Sequence, residues 1–112
     1  CSHVLEHITE DDKAMRELYR VLKPSGWGIV QVPMKPDQEE TYEDHSIQTK
    51  KEREVHFGQY DHVRWYGRKD FFKRLQKAGF STEAIYVSQA FSKTEIERYA
   101  LDHNEILPLI RR

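Results

Sequence analysis

The stretch that decides the fold covers positions 1–33: C-S-H-V-L-E-H-I at 1–8, the acidic turn T-E-D-D at 9–12, R-V-L-K-P-S-G-W at 20–27 and a short apolar run that ends in V-P. Thr9 predicts a helix N-cap, with acidic side chains following at the positive end of the helix dipole. Pro24 and Gly26 end this helix. The apolar run at 27–33 predicts a strand covered by helices on both faces, so the stretch indicates an α/β fold.

The rest of the chain supplies further strands and helices. The polar segment 34–58 predicts a long loop with about one helical turn near 50–56. The later predicted elements are a helix over 70–78, a strand over 82–87, a short helix opened by the capping box S-K-T-E at 92–95, and a strand over 106–110. Pro108 predicts a bulge or a shortening of that last strand, because proline lacks the amide proton that a central strand donates.

Composition restricts the classes of protein. A length of 112 residues with 38% hydrophobic residues predicts one domain over 1–112. Lys plus Arg number 18 against 19 Asp plus Glu, so no positive excess favours a nucleic-acid partner. Cys1 is the single cysteine, which excludes an internal disulfide, and no apolar run approaches the roughly 20 residues that cross a bilayer. We expect a cytoplasmic protein with no membrane partner.

Five short motifs occur in a fixed order: L-E-H-I at 5–8, R-V-L-K-P-S-G at 20–26, V-P at 32–33, D-H-V-R-W-Y-G at 61–67 and A-G-F at 78–80. Together they resemble the C-terminal half of a class I S-adenosylmethionine-dependent methyltransferase, of the type 11-like small-molecule group. The resemblance implies a partial Rossmann-like fold, with a three-stranded mixed sheet and flanking helices. The segments 27–33, 106–110 and 82–87 would be strands five, seven and six of the family, with the antiparallel seventh strand in the middle.

The resemblance also implies a function, the transfer of a methyl group from S-adenosylmethionine to a small-molecule acceptor. The family's glycine-rich strand-turn-helix loop does not occur in these residues. Because the chain also starts at Cys1 rather than at Met, we expect a fragment without the N-terminal cofactor-binding half. We expect such a chain to be inactive by itself. Whether this chain is an enzyme stays open at this point.

An alternative from another class is a non-catalytic interaction module derived from a methyltransferase. A fragment of this kind exposes an edge of the strand at 27–33, and uncovered strand edges pair with other chains. This alternative predicts a homodimer or a higher oligomer.

Candidate cofactor-binding residues follow from the resemblance alone. Ser2 and His3 would lie at the lip that follows the family's fourth strand and would contact the methyl donor. His7, from the same lip, is a further catalytic candidate.

Candidate acceptor-side residues lie in the D-H-V-R-W-Y-G motif. His62 is a possible base, because the ordinary pKa of histidine lies near neutral pH, and Arg64 can hold a carboxylate or a phosphate. Tyr66 from this motif and Tyr42 from the long loop are further substrate-binding candidates. The competing interpretation is a structural turn in which Asp61 pairs with Arg64 while Trp65 and Tyr66 fill the core.

The pattern H-x-x-E-H is formed by His3, Glu6 and His7. It is the inverted form of the common zinc-protease motif H-E-x-x-H. The surroundings resemble a methyltransferase, so the leading expectation is that no metal binds. A weaker alternative comes from methyltransferases of this superfamily that carry E-x-x-E-H here and bind a divalent ion. His3 in place of the first glutamate would shift the preference towards zinc-like ions.

Overall fold

The chain contains both strands and helices, as the sequence predicts for an α/β fold. The computed structural model describes residues 1–35 and 37–112. Pro36, within the predicted long loop, lies outside the described residues. The elements are a 3-10 turn Leu5–His7, α1 Asp11–Val21, β1 Trp27–Ile29, β2 Met34–Lys35, β3 Tyr42–Glu43, α2 Lys50–Phe57, β4 Arg64–Gly67, α3 Arg68–Lys77, β5 Ser81–Tyr86, α4 Val87–Ala90, α5 Lys93–Arg98 and β6 Ile106–Arg111.

The first sheet has the order β1-β6-β5, with β6 antiparallel to both neighbours. The last strand therefore lies between the other two, as predicted. The correspondence of these strands with the family's strands five, seven and six stays a prediction. The pairing of β5 with β6 is continuous from Ser81 opposite Arg111 to Tyr86 opposite Ile106, so the predicted bulge or shortening at Pro108 is wrong.

Pro108 fits a central strand because of the side to which its backbone points. The Pro108 carbonyl oxygen accepts a hydrogen bond from the Val30 amide at 3.0 Å, on the β1 side. The amide nitrogen and the carbonyl oxygen of one strand residue point towards the same neighbouring strand. The amide proton that Pro108 lacks would therefore also have pointed towards β1. That ladder ends at Ile29 opposite Leu109, and the proline therefore removes a bond only at the end of the pairing.

A second sheet, in the order β2-β4-β3, corrects the prediction of a long loop. β2 runs parallel to β4, and β3 runs antiparallel to it. β2 and β3 have two residues each, too few to show a period of two in the sequence. The predicted single helical turn is the longer helix α2, which Thr49 and Glu52 open with a reciprocal capping box.

Helix boundaries differ from the sequence pattern at several ends. The N-cap of α1 is Glu10, and no side chain caps it, so the prediction of Thr9 as N-cap is wrong. The helix predicted at 70–78 begins earlier, at Arg68. The predicted capping box of Ser92 and Glu95 is confirmed.

The main core lies between α1, α3 and the two sheets. Its buried residues are Leu5, Met15, Val30, Val32, Tyr66, Phe71, Leu75, Phe80 and Ile110. Among the described residues no helix is both long enough and apolar enough to span a membrane.

Gly67 provides a test of the second sheet, because the backbone of the β2–β3 connection passes directly over it. A Cβ atom built on Gly67 would lie 2.2 Å from the carbonyl carbon of Glu40, a contact that no side-chain rotation relieves. We expect Gly67→Ala to lower the free energy of unfolding by about 1–3 kcal/mol, measured by urea denaturation. Gly28→Ala is the control, since its Cβ would meet Ile110 at 3.7 Å, an ordinary contact. Equal stability of the two variants would contradict this packing.

Candidate functional site

Residues 1–3 lie beside the end of β1 and continue it as a short parallel pair. The Cys1 nitrogen donates to the Ile29 carbonyl at 3.1 Å, and the Gln31 amide donates to the Cys1 carbonyl at 2.9 Å. The His3 amide donates to the Gln31 carbonyl at 2.9 Å. This pair covers part of the strand edge that the sequence predicts to be exposed.

The chain turns sharply where this parallel pair ends. His3 has a φ of 53°, in the left-handed region, and the 3-10 turn follows. A cavity of about 320 Å³ opens here, with Pro33 and Trp65 among its walls. Ligands of open α/β sheets bind beyond the carboxyl ends of parallel strands, so this is a favourable position for a site.

Four ionisable side chains face this cavity: His3, Glu6, His7 and His62. Glu6 is 1% exposed and His62 is 7% exposed. The rings of His7 and His62 pack edge to face, with centroids 4.7 Å apart. Burial lowers the pKa of His62, and the neighbouring His7 lowers it further.

The Glu6 carboxylate lacks hydrogen-bond partners within the described part of the chain, although both of its oxygens are buried. Its nearest cationic candidates are His3, with Nδ1 at 3.5 Å from Oε1, and His7, with Nε2 at 3.8 Å from Oε1. His62 Nδ1 is likewise buried without a partner. Unpaired buried polar groups are expensive, so their concentration here marks the cavity as a candidate site.

Arg64, on β4, holds the turn that carries Glu6 and His7. Its guanidinium is 1% exposed and donates to the Leu5 carbonyl at 3.1 Å, to the Ile8 carbonyl and to the Thr9 carbonyl at 2.9 Å. The Leu5 carbonyl also accepts from the Ile8 amide at 3.2 Å within the 3-10 turn, and the guanidinium adds a second donor to it and extends to the carbonyls at the end of the turn. The position of the cavity wall therefore depends on Arg64.

Carboxylates surround the guanidinium of Arg64 and extend the network. Arg64 Nε donates to Glu43 Oε2 at 2.8 Å, and Arg74 Nη2 donates to Glu43 Oε1 at 2.7 Å. Partial burial opposes ionisation of Glu43, but the hydrogen bonds from Arg74 and Arg64 prevail and lower its pKa to about 2. Arg74 also binds Asp11 at 3.0 Å and Asp70 at 2.7 Å. Burial opposes the charge of Arg74, yet these carboxylates raise its pKa.

Comparison with known protein families gives a match to a methyltransferase domain over residues 1–85 of this 112-residue chain. The chain belongs to the methyltransferase-domain family. This confirms the resemblance inferred from the motifs, and the matched segment includes every residue named above as lining the cavity. Neither the curated proteins nor the solved structures gave a match.

In this methyltransferase domain the predicted residues His3, His7 and His62 come together around the cavity. Ser2 is exposed, and its hydroxyl donates to Gln31 Oε1 at 3.1 Å. Tyr42 is 40% exposed, and its hydroxyl lies 2.9 Å from His56 Nδ1. The roles assigned to these residues stay predictions.

The positions of Arg64 and Tyr66 weigh against direct contact with a substrate. Tyr66 is fully buried, and its hydroxyl donates to Asp11 Oδ2 at 2.7 Å. Burial raises the pKa of Tyr66. The competing interpretation from the sequence is right that Tyr66 lies in the core, whereas Trp65 is only partly buried and lines the cavity. Arg64 does not pair with Asp61: Arg64 pairs with Glu43, and Asp61 lies 3.3 Å from His7 Nδ1.

The sequence did not predict that Glu6 lies close to His62, nor did it predict the network around Glu43. Contacts between positions 6 and 62, or 43 and 74, leave no local periodicity that a reader of the sequence could use. A buried arginine in a strand is the one available signal, because a buried guanidinium requires carboxylates or carbonyls around it.

The Glu43 network predicts a stability that depends on pH. The pKa of Glu43 is about 2 in the folded protein against an ordinary value of 4.5, so its ionised form stabilises the fold above about pH 4.5, and this contribution is lost as the pH falls towards 2. At neutral pH we expect Glu43→Gln to lower the free energy of unfolding by about 1–3 kcal/mol, and the deficit should shrink below about pH 4.5.

Urea denaturation at several pH values measures this deficit. Glu83→Gln is the control, because Glu83 pairs with Arg111 at 3.5 Å with both side chains more than half exposed. Exposed pairs contribute less than about 1 kcal/mol. A Glu43→Gln deficit that stays constant from about pH 6 to about pH 3 would contradict the proposed ion pairing.

Proposed function

We propose that this chain takes part in S-adenosylmethionine-dependent methyl transfer and that the cavity beside His3 receives a small-molecule acceptor. The observation that carries this proposal is the clustering of His3, His7 and His62 at the end of a parallel strand pair in a methyltransferase domain. A cavity of about 320 Å³ has the size of a small-molecule site. The proposal includes the cytoplasmic location that the sequence predicts.

The lip formed by residues 1–3 fits one end of the cofactor. The Ser2 hydroxyl is exposed, and the His3 ring lies at the mouth of the cavity. When bound, S-adenosylmethionine supplies an electrophilic methyl group on a sulfonium centre. The five glycines of this chain form no strand-turn-helix G-x-G pattern, so Ser2 and His3 offer only part of a cofactor site and the isolated chain is expected to bind weakly.

The acceptor side is assigned to the floor and walls of the same cavity. Pro33 and Trp65 supply apolar surface that excludes water from a bound acceptor. His62 and His7 supply imidazole nitrogens that can take a proton from the acceptor or hold an ion beside it. Arg64 acts as a positioning residue, because its guanidinium binds carbonyls of the turn that carries His7. Tyr66 supports Arg64 through Asp11, which pairs with both side chains.

The test of this proposal is a titration of the 112-residue chain with S-adenosylmethionine, followed by calorimetry and by amide chemical shifts. We expect a dissociation constant of about 1 mM, that is, about −4 kcal/mol, with shifts at residues 1–3 and 31–33. His3→Ala should weaken binding at least threefold, whereas His45→Ala, in an exposed turn that lines neither this cavity nor the neighbouring pocket at His3, should leave it unchanged. Shifts confined to other regions, or none at several millimolar, would overturn the proposal.

A second candidate function is self-association through the part of the β1 edge that residues 1–3 leave uncovered. Successive residues of a strand point their backbone amide and carbonyl to opposite sides. Those of Trp27 point away from β6, towards the edge of the sheet. The Trp27 side chain is 67% exposed, and Ile29 on the same face is 37% exposed. An edge with exposed apolar side chains is a template for strand pairing. The same edge of a second copy, related by a two-fold axis, supplies the pairing strand.

Sedimentation velocity at micromolar concentration tests this candidate. We expect a concentration-dependent dimer that Trp27→Lys abolishes, since a lysine on an edge strand opposes pairing. Val55→Lys is the matched control, because Val55 is an exposed apolar residue at 75% on α2, away from the sheet edge. A wild-type chain that sediments as a monomer, or a dimer that both variants weaken equally, would contradict association through β1.

A further inference from the structure

A second cavity, of about 480 Å³, lies where the loop after β3 meets α2. Thr9, which follows the 3-10 turn, and Val63, which precedes β4, also line it. Among the described residues it shares no lining residue with the cavity beside His3. Its volume lies in the range of small-molecule sites, so it is a separate candidate site.

The side chain of Arg53 lines this cavity because of its position on α2. Arg53 and Phe57 lie four residues apart and therefore on the same side of the helix. Phe57 is fully buried, so this side of α2 faces the protein. The capping box of Thr49 and Glu52 fixes the first turn of α2, directly before Arg53. Arg53 is thus held half-buried at the cavity wall.

The guanidinium of Arg53 lacks an acceptor within the described part of the chain. Its Nε is buried without a hydrogen-bond partner, and no carboxylate of these residues forms an ion pair with it. Arg16, Arg64 and Arg74, by contrast, each bind a carboxylate at between 2.7 and 2.9 Å. A buried charged donor without an acceptor is unfavourable, so Arg53 favours an acceptor that comes from outside the chain.

The other walls of the cavity define which ligand fits beside Arg53. Ile47 and Val63 supply half-buried apolar surface. Asp44 also lines the cavity, and its Oδ1 accepts from the Ser46 hydroxyl at 2.7 Å and from the Ser46 amide at 2.8 Å. These hydrogen bonds lower the pKa of Asp44, so it carries a negative charge at neutral pH. A ligand with one negative charge is therefore favoured over a dianion, which Asp44 repels more strongly.

We propose that this cavity binds a small carboxylate ligand with an apolar body. The two carboxylate oxygens accept from Nε and from a terminal nitrogen of Arg53, the bidentate geometry in which arginine binds carboxylates. The apolar body lies against Ile47 and Val63. The side chains of Thr9 and Gln48, which also line the cavity, offer further donors. The site does not rest on methyl transfer.

The test is a titration of the 112-residue chain with benzoate at constant ionic strength, followed by amide chemical shifts. We expect a dissociation constant of about 1 mM, with shifts at residues 44–48, 53 and 63. Benzamide has nearly the same shape without the charge, so it should bind at least tenfold more weakly. The shifts report on this cavity alone, so a failure to bind S-adenosylmethionine beside His3 would leave the outcome untouched.

Variants at position 53 identify the binding group. Arg53→Met keeps the apolar stem and loses the donors, so it should weaken benzoate binding at least tenfold. Arg53→Lys keeps the charge without the planar pair of donors and should weaken binding at least threefold. Arg98→Gln is the matched control, because Arg98 is exposed on α5 and does not line the cavity. It should leave binding unchanged.

Two further measurements separate binding from a structural role of Arg53. Asp44→Asn should tighten the binding of phenyl phosphate, a dianion, by a larger factor than that of benzoate, because it removes the repelling charge. Arg53→Met should unfold at a temperature no lower than the parent, since it breaks no hydrogen bond of the Arg53 side chain and removes a buried unpaired donor.

Three results would overturn the proposal. The first is a parent chain without shifts at 44–48 and 53 at ten times the expected dissociation constant. The second is equal binding of benzoate and benzamide, which would show an apolar cavity that does not recognise an anion. The third is a loss of thermal stability that Arg53→Met and Asp44→Asn share, which would show that Arg53 pairs with Asp44 and is not free for a ligand.

Discussion

The buried guanidinium of Arg64 is the interaction on which the rest of the structure depends. It joins the 3-10 turn to β4 through the carbonyls of Leu5 and Thr9, and it joins both to β3 through Glu43. A charge in this position is tolerated only because each of its nitrogens has an acceptor. One side chain thus fixes the second sheet, the turn and the cavity wall. In return, the hydrogen-bond donors of Arg64 find acceptors only when all three are in place.

The network around Arg64 differs in character from the cluster that it supports. Arg64, Arg74 and Glu43 satisfy each other with charge-assisted hydrogen bonds, and such fully paired groups specify one arrangement of the elements that carry them. Glu6 and His62 lie just beyond this network and have buried atoms without partners. The same fold therefore contains a completed polar network next to an incomplete one.

The sequence allowed the first sheet to be predicted and most of the second to be missed. β5, β6 and the helices α1 and α3 have enough residues to show a period and to carry capping or terminating residues. β2 and β3 exist only because β4 lies between them, so their stability comes from contacts that a local pattern does not encode. The histidines of the site were identified as candidates by their motifs, whereas their meeting at Glu6 depends on a separation of more than fifty positions that only the fold closes.

The incomplete cluster is better explained by function than by stability. A core that served only the fold would replace Glu6 and His62 by apolar side chains of similar size, which are often more stable than buried polar groups. Proteins break the rule that buried polar groups are paired mainly at sites that bind something. Arg64 and its carboxylates hold the turn rigidly, and a rigid frame is what allows an unfavourable arrangement of Glu6, His7 and His62 to persist without collapsing. The fold thus keeps at this cavity a buried carboxylate, that of Glu6, which a positive partner would stabilise.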